Sequence, residues 1–321
     1  MARVAAVLAV VALVCLPEGL CWVAPARVPG RARRPLVQRQ GASGSPEGLQ
    51  GLLEICASTD RGQAASPAER QEVEGLCSRV EASAPNLAGE ELVAALEGRW
   101  KLVYASVQPY RSSPFFWGFR QLAEGLRSPV LADSFADAVF DITDGIPFKS
   151  VGPAQQTLTR GVTGDMALVS EVEIRASIFD ALVPRTKSVM TTSASVSPRA
   201  EAGLLDVSLL KTEVKASSIA SLLPFVDDLA FPTQDVFRYL RPDADAERVT
   251  MRNALGYGGV LRVVRSPSDE LFVYVRAAKS PEDEDPLPAR VIAQSSSWDE
   301  EAEKSETAVG SPVGDGESGK E

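Results

Sequence analysis

From Gly98 onward the chain repeats one pattern: short runs with an apolar residue at every second position, separated by Pro, Gly and Asp. This pattern restricts the fold more than any other feature, because a period of two marks a strand with one buried face. In "GRWKLVYA" Trp100, Leu102 and Tyr104 point one way, and Lys101, Val103 and Ala105 the other. Further strands are expected over residues 135–143, 148–159, 166–177, 186–197, 204–215, 259–265 and 271–277. The breaks "TDGIP", "RGVTGD", "LVPR", "SPRAEAG" and "SPSDE" carry the residues that turns require. About eight strands joined by short turns predict a mainly β (α+β) fold, an antiparallel β-barrel over residues 98–277. An open sandwich is the alternative.

The period is helical before Gly98. Residues 49–57 place Leu52, Leu53, Cys56 and Ala57 on one side. Ser66 reads as an N-cap, with Pro67 at the first helical position and Glu69 three residues on. That helix runs to about Ala82 with Val73, Leu76, Cys77 and Val80 at 3–4 spacing, and a third short helix covers 90–96. These helices form an N-terminal cap, residues 49–96. Cys56 and Cys77 lie on two of them, in no CxxC pattern, and read as buried thiols, with pairing left open.

Two insertions break the strand pattern. In "SSPFFWGFRQLAEGL" Ser113 caps, Pro114 starts a helix, and Phe115, Phe116, Phe119, Leu122 and Leu126 share one face. The second, "SIASLLPFVDDLAFPTQDVFRYL", is split by Pro224 and Pro232 and holds a helix over 233–240. Phe115, Phe116, Trp117 and Phe119, with Leu223 and Phe225, are assigned to the barrel mouth or to a membrane or lipid surface. Packing against the barrel is favoured over lipid insertion, since interfacial helices add a basic face and these carry few Lys or Arg.

The ends differ from the body. Val4 to Cys15 is an apolar run too short to span a bilayer comfortably, followed by small residues at Gly19 and Cys21, so residues 1–21 read as a signal peptide. Residues 22–46 hold five Arg and no acid, the composition of a transit peptide. Such a bipartite leader resembles those of proteins entering complex plastids, with Trp22 as the aromatic after cleavage. Residues 280–321, with twelve acids against three basic residues and few apolar ones, read as a disordered acidic tail. The domain itself is expected over residues 47–279. Without a basic stripe in that body, nucleic acid is not an expected partner.

Functional chemistry is narrowed by the absence of His from all 321 residues. That excludes Ser-His-Asp and Cys-His nucleophilic sites and most zinc sites. No phosphate-binding loop sits between a strand and a helix, and no cofactor is expected. Asp227 and Asp228 lack a third metal ligand, Asp144 in "TDGIP" reads as a turn former, and "GYGGV" (256–260) reads as a bulge or tight entry to the barrel. No catalytic residue is assigned; an enzyme with a His-free Ser-Lys or carboxylate-pair site is the alternative left open. The body reads as a binding module whose chemistry is apolar, each buried methylene of a lipid contributing about 0.8 kcal/mol.

"STDRG" before a helix, then "LEGRWKLVYAS", "LVSEVEI" and "LRVVRSPSDELFVYVR", with "FFWGFR" and "DITDGIPFKSVGPAQQ" between, resemble the plastid lipid-associated protein family, the fibrillins. The similarity covers roughly residues 49–277. It implies a lipocalin-like barrel and a non-enzymatic protein that binds or organises lipids and isoprenoids at thylakoids or plastoglobules, in some members beside an enzyme of quinone synthesis. The long acidic tail departs from the usual pattern. In lipocalin-like barrels a Gly-x-Trp on the first strand lies at the closed end under an Arg from the last. Arg276 is therefore expected over Trp100, with Arg262 second. Strand alternation assigns Tyr104, Phe140, Val151 and Val189 to the lumen as ligand contacts, with Gln155 as a polar anchor. A packed lumen with no ligand is the competing expectation.

Overall fold

The computed structural model describes residues 46–125, 140, 144, 149–161, 166–176, 186–215, 230–241 and 247–278. The leader, the acidic tail, Leu223, Phe225 and the Asp227–Asp228 pair lie outside these residues.

Five helices are described: α1 (Pro46–Ser58), α2 (Pro67–Ser83), α3 (Gly89–Leu96), α4 (Pro114–Gly125) and α5 (Thr233–Leu240). The nine strands are β1 (Gly98–Ala105), β2 (Lys149–Arg160), β3 (Met166–Ala176), β4 (Thr186–Pro198), β5 (Leu204–Lys215), β6 (Ala230–Phe231), β7 (Arg248–Gly256), β8 (Leu261–Arg265) and β9 (Leu271–Arg276). All pair antiparallel in the order β4-β3-β2-β1-β9-β8-β7-β5, and a β4–β5 ladder closes the ring. The result is a closed eight-stranded barrel, with β6 added as a two-residue edge on β5. The expected sandwich alternative is thereby removed.

Ser66 caps α2 as its sequence requires. Its hydroxyl accepts from the Glu69 backbone N–H while the Glu69 carboxylate accepts from the Ser66 N–H, a reciprocal capping box. One expected strand is replaced by another. Phe140, from the expected strand 135–143, has helical backbone, and the rest of that stretch except Phe140 lies outside the described residues. The eighth barrel strand is instead β7, where Val249, Met251, Asn253 and Leu255 face inward. Its alternation is diluted by polar Asn253 at an inward position and by apolar Ala254 beside it on the outer face. "GYGG" is a 3-10 turn between β7 and β8, with Tyr257, Gly258 and Gly259 all left-handed.

The apolar residues divide into two clusters. One fills the lumen. The other lies outside the barrel, where Leu52, Ile55 and Cys56 of α1 and Val73, Leu76, Cys77 and Val80 of α2 cover Tyr104, Leu261, Val263, Leu271 and Val273. Arg265 at the end of β8 ties α2 down through Glu74 and Glu81, the latter at 2.6 Å. Burial pushes the Cys56 thiol up to about 12 and Cys77 higher still, so both are inert and free.

The loop between α1 and α2, "TDRG", wedges the barrel seam. Pairing of β1 with β2 stops at Lys101↔Gln155. Beyond it the Arg61 guanidinium donates to the carbonyls of Val151 and Gly152, both at 2.5 Å, where β2 bulges. The Arg61 carbonyl accepts from Ala105 N–H at 3.0 Å, just past the β1 bulge. Asp60, Arg61 and Gly62 are all left-handed, with Gly62 at φ 90°. A Cβ on Gly62 would sit 2.5 Å from the Tyr104 ring, so both the backbone and the contact demand glycine.

Candidate functional site

The lumen is stoppered at both ends by helices of the same chain. At the closed end Leu92, Val93 and Leu96 of α3 join the lumen cluster. At the other end, the mouth, a 3-10 turn (Pro109–Ser112) and α4 enter it. Phe115, Phe116, Trp117 and Phe119 are all buried. Phe115 meets Phe237 of α5 at 6.2 Å, and Trp117 meets Phe272 of β9 at 5.9 Å. Gly118 permits the approach: a Cβ there would overlap Leu209 Cδ1 of β5. The four aromatics therefore pack into the mouth and do not face a membrane. Their face is spent on the lumen, which agrees with the scarcity of basic residues beside them.

Polar atoms carried inside by the stopper are matched by inward polar side chains. The Ser112 carbonyl accepts from Gln156 Nε2 at 3.0 Å. Ser113 Oγ pairs with Thr192 Oγ1 at 3.0 Å, and the hydroxyl chain continues through Thr212 to Thr233. These bonds fix the stopper's register, because an unmatched buried carbonyl or hydroxyl costs about 1–3 kcal/mol.

At the closed end the structure brings Trp100 and Arg276 together. They are register partners across β1 and β9, with the guanidinium 4.3 Å from the indole centroid. Arg276 also donates to the carbonyls of Gly259 (3.0 Å), Glu97 (2.5 Å) and Ala95 (2.6 Å), tying β1, the β7–β8 turn and the end of α3 into one knot. Trp100 Nε1 donates to Leu96 O at 2.8 Å. Arg262 is the more distant cation, at 5.8 Å from the indole. It lies buried within the barrel among neutral partners, donating to Asn253 Oδ1 (2.9 Å) and Gln156 Oε1 (3.1 Å). Burial pushes its guanidinium down to about 10.

The mouth carries charge of both signs. Tyr110 donates to Asp144 Oδ1 and Arg111 to Asp144 Oδ2, both at 2.6 Å. Arg111 and Arg120 both approach Glu270, at 3.8 and 3.3 Å, and both lie over the Phe140 ring, at 4.1 and 5.1 Å. Burial, then the bond to Asp144, pushes the Tyr110 phenol well above its ordinary value, so it stays protonated and cannot serve as a base. Asp144, expected as a turn former, has helical backbone and accepts from a phenol and a guanidinium. None of this was visible locally, since Tyr110 and Arg111 stand 34 and 33 residues away from it.

The five residues expected to line the lumen are not brought together. Phe140 is inside, packed between Phe116 and Phe119. Tyr104 is outside: the β1 bulge between Leu102 and Tyr104 reverses the alternation, and its ring lies under α1 and α2. The β2 bulge between Val151 and Ala154 does the same. Val151 stays half-buried at the lumen edge, while Gln155 turns outward to donate to Glu171 at 2.6 Å. Its neighbour Gln156 is the lumen amide, and "QQ" held the right residue one position on. Val189 also faces outward, since Met190 of the same strand is buried in the lumen cluster.

A cleft of about 90 Å³ opens at the mouth, lined by Trp117, Arg120, Gln121, Ser266, Pro267, Ser268 and Glu270. Ligand pockets run from about 300 Å³, so it takes a headgroup and not a whole lipid. Among the described residues no cluster of three or more Cys, Asp or Glu is placed to hold a metal, and no helix is long and apolar enough to cross a membrane.

Fold and stoppers define a lipocalin-like barrel with a helical cap. The family model PAP_fibrillin matches residues 47–116, which span α1, the "TDRG" wedge, α2, α3, β1 and the first two aromatics of the stopper. That match supports a resemblance to the plastid lipid-associated proteins. No curated protein and no solved structure matches the chain.

Proposed function

We propose that this is a non-enzymatic plastid protein that binds or organises hydrophobic lipids or isoprenoids at thylakoid or plastoglobule surfaces. The observation that carries the reading is the family match over the helical cap, β1 and the start of the stopper, on a closed barrel with an aromatic mouth. Burial holds Tyr110 and Tyr274 protonated, so neither offers a phenolate base. The leader, residues 1–21 and 22–46, is the route to a complex plastid; a fluorescent protein fused to residues 1–46 that stays outside the plastid overturns that part.

A second reading has its own observation. The lumen is occupied by the chain's own aromatics, as expected of a scaffold that docks a plastid isoprenoid- or quinone-synthesis enzyme without carrying cargo. Mass spectrometry of lipids extracted from natively purified protein separates the two. Wild type is compared with Gly118→Val, which overlaps Leu209 and disturbs the stopper. Enrichment of one lipid class in wild type, altered by the variant, supports lipid binding. Empty extracts from both overturn it in favour of the scaffold.

A further inference from the structure

We propose that the tip of the stopper stands in for a ligand, and that the carboxylate head of an acyl-chain amphiphile takes the place of Ser112 beside Arg262 when α4 withdraws. The proposal rests on the lipid-association reading and adds the chemical class of the lipid and the residue that anchors it.

The first observation is a charge without a counter-charge. Among the described residues three arginines are buried: Arg111, Arg262 and Arg265. Arg111 pairs with Asp144, and Arg265 with Glu74 and Glu81. Arg262, the most buried of the three at 3% exposed, pairs with no carboxylate among the described residues. Its direction is fixed by alternation. Leu261 and Val263 on either side belong to the outer cluster, and its register partners Leu255 and Tyr274 belong to the lumen cluster. The buried acids Glu69 and Glu247 are committed elsewhere, to the cap at Ser66 and to Arg238. A buried charge with neutral partners alone is costly to keep, and an arriving anion removes that cost.

The second observation is a belt of polar side chains at the level of the stopper tip. Gln156, Ser170, Thr192 and Thr212 are register partners across β2, β3, β4 and β5. Ser170 stands between Leu168 and Val172 of the lumen cluster and faces inward with them; it is 1% exposed and its hydroxyl has no partner.

The third observation is the link between belt, cation and stopper. Gln156 Oε1 accepts from Arg262 at 3.1 Å, and Gln156 Nε2 donates to the Ser112 carbonyl at 3.0 Å. One amide therefore separates the guanidinium from a neutral backbone oxygen. A carboxylate in that place accepts from the same amide and supplies the charge that Arg262 lacks. A neutral head would leave Arg262 uncompensated, and a cationic one would be repelled. The acyl chain takes the space toward the mouth that Phe115, Phe116 and Phe119 fill in the stoppered barrel.

The test titrates the full chain with cis-parinaric acid, a fluorescent fatty acid, and with its methyl ester. Wild type should bind the acid about ten- to a hundredfold more tightly than the ester, as one charge-assisted hydrogen bond gives. Arg262→Met should lose that preference while still binding the ester. Arg262→Gln, which keeps an amide donor beside Asn253 and Gln156, gives the same readout if Arg262→Met does not fold. Gly118→Val, which disturbs the stopper, should speed uptake of the acid. Equal binding of acid and ester by wild type, or binding of neither, overturns the seat. A preference that survives in a folded Arg262 variant overturns the assignment of Arg262. Uptake no faster in Gly118→Val overturns the exchange with the stopper. If lipids co-purify with wild type while the acid is not preferred, the seat falls and the lipid reading stands; if the preference depends on Arg262 and no lipid co-purifies, the reverse holds.

Discussion

The two ends of the barrel solve the same closure problem with opposite chemistry. Both are sealed by a helix, and both place two arginines against aromatic rings. At the closed end Arg276 and Arg262 hydrogen-bond to backbone carbonyls and neutral amides, and the indole N–H is satisfied. At the mouth Arg111 and Arg120 meet carboxylates, among the described residues the Trp117 indole N–H and Arg111 Nε have no hydrogen-bond partner, and a cleft is present. Hydrogen bonds completed inside the fold hold it together.

That contrast can be broken by mutation. The largest effect is expected at the closed end: Trp100→Ala should lower unfolding free energy by about 3–5 kcal/mol in a denaturant titration, with α3 losing its anchor at Leu96. Arg276→Met should cost about 1–3 kcal/mol by the same measurement, because three carbonyls and an indole face lose one cation. A change in co-purifying lipid in Arg276→Met as well would mean that the ends are coupled. Gly118→Val at the mouth should cost about 1–3 kcal/mol by overpacking against Leu209. Unlike Arg276→Met, it should alter co-purifying lipid as much as stability.

Alkaline titration sharpens the comparison further. Tyr110 has a folded-state pKa above its unfolded value near 10, so its stabilisation is complete below pH 10 and is lost as pH rises beyond it. Tyr274, inside the lumen, behaves likewise. It is opposed there by Arg262, whose folded value near 10 lies below the ordinary guanidinium range. The cost of burying that charge is present in full below pH 10 and is relieved as pH rises beyond it. Tyr110→Phe should therefore flatten the fall in stability above pH 10, by up to about 1.4 kcal/mol per pH unit. An unchanged slope in Tyr110→Phe would remove the distinction drawn between the two ends. The smallest effect is expected on the outer wall, where Glu173→Gln breaks pairs with half-exposed Arg175 and Lys187 and should shift stability by no more than about 1 kcal/mol.

Local signals carried the scaffold a long way. Ser66, Pro67 and Glu69 are a capping box within four residues, and α2 starts where they place it. The helix over 233–240 and the strand over 204–215 have the boundaries their patterns give. The Trp100–Arg276 contact was legible from the lipocalin-like resemblance, with antiparallel first and last strands putting one start beside one end. The lumen-facing residues were not legible in the same way. Alternation assigned Tyr104 and Gln155 inward, and each lies beyond a bulge that inverts it.

What the amino-acid order determined by itself is everything with a short period: helix starts, strand runs, turns and the identity of the sealing aromatics. What only the tertiary structure decided is parity, occupancy and partnership. The β1 and β2 bulges persist because Arg61, roughly 40 to 90 residues away, satisfies the backbone groups they free. The lumen is full because Gly118 lets α4 close on Leu209, and Asp144 has a role because the stopper brings Tyr110 and Arg111 to it. A bulge or a buried polar group is stable only with its distant partner in place, and no local pattern records that partner.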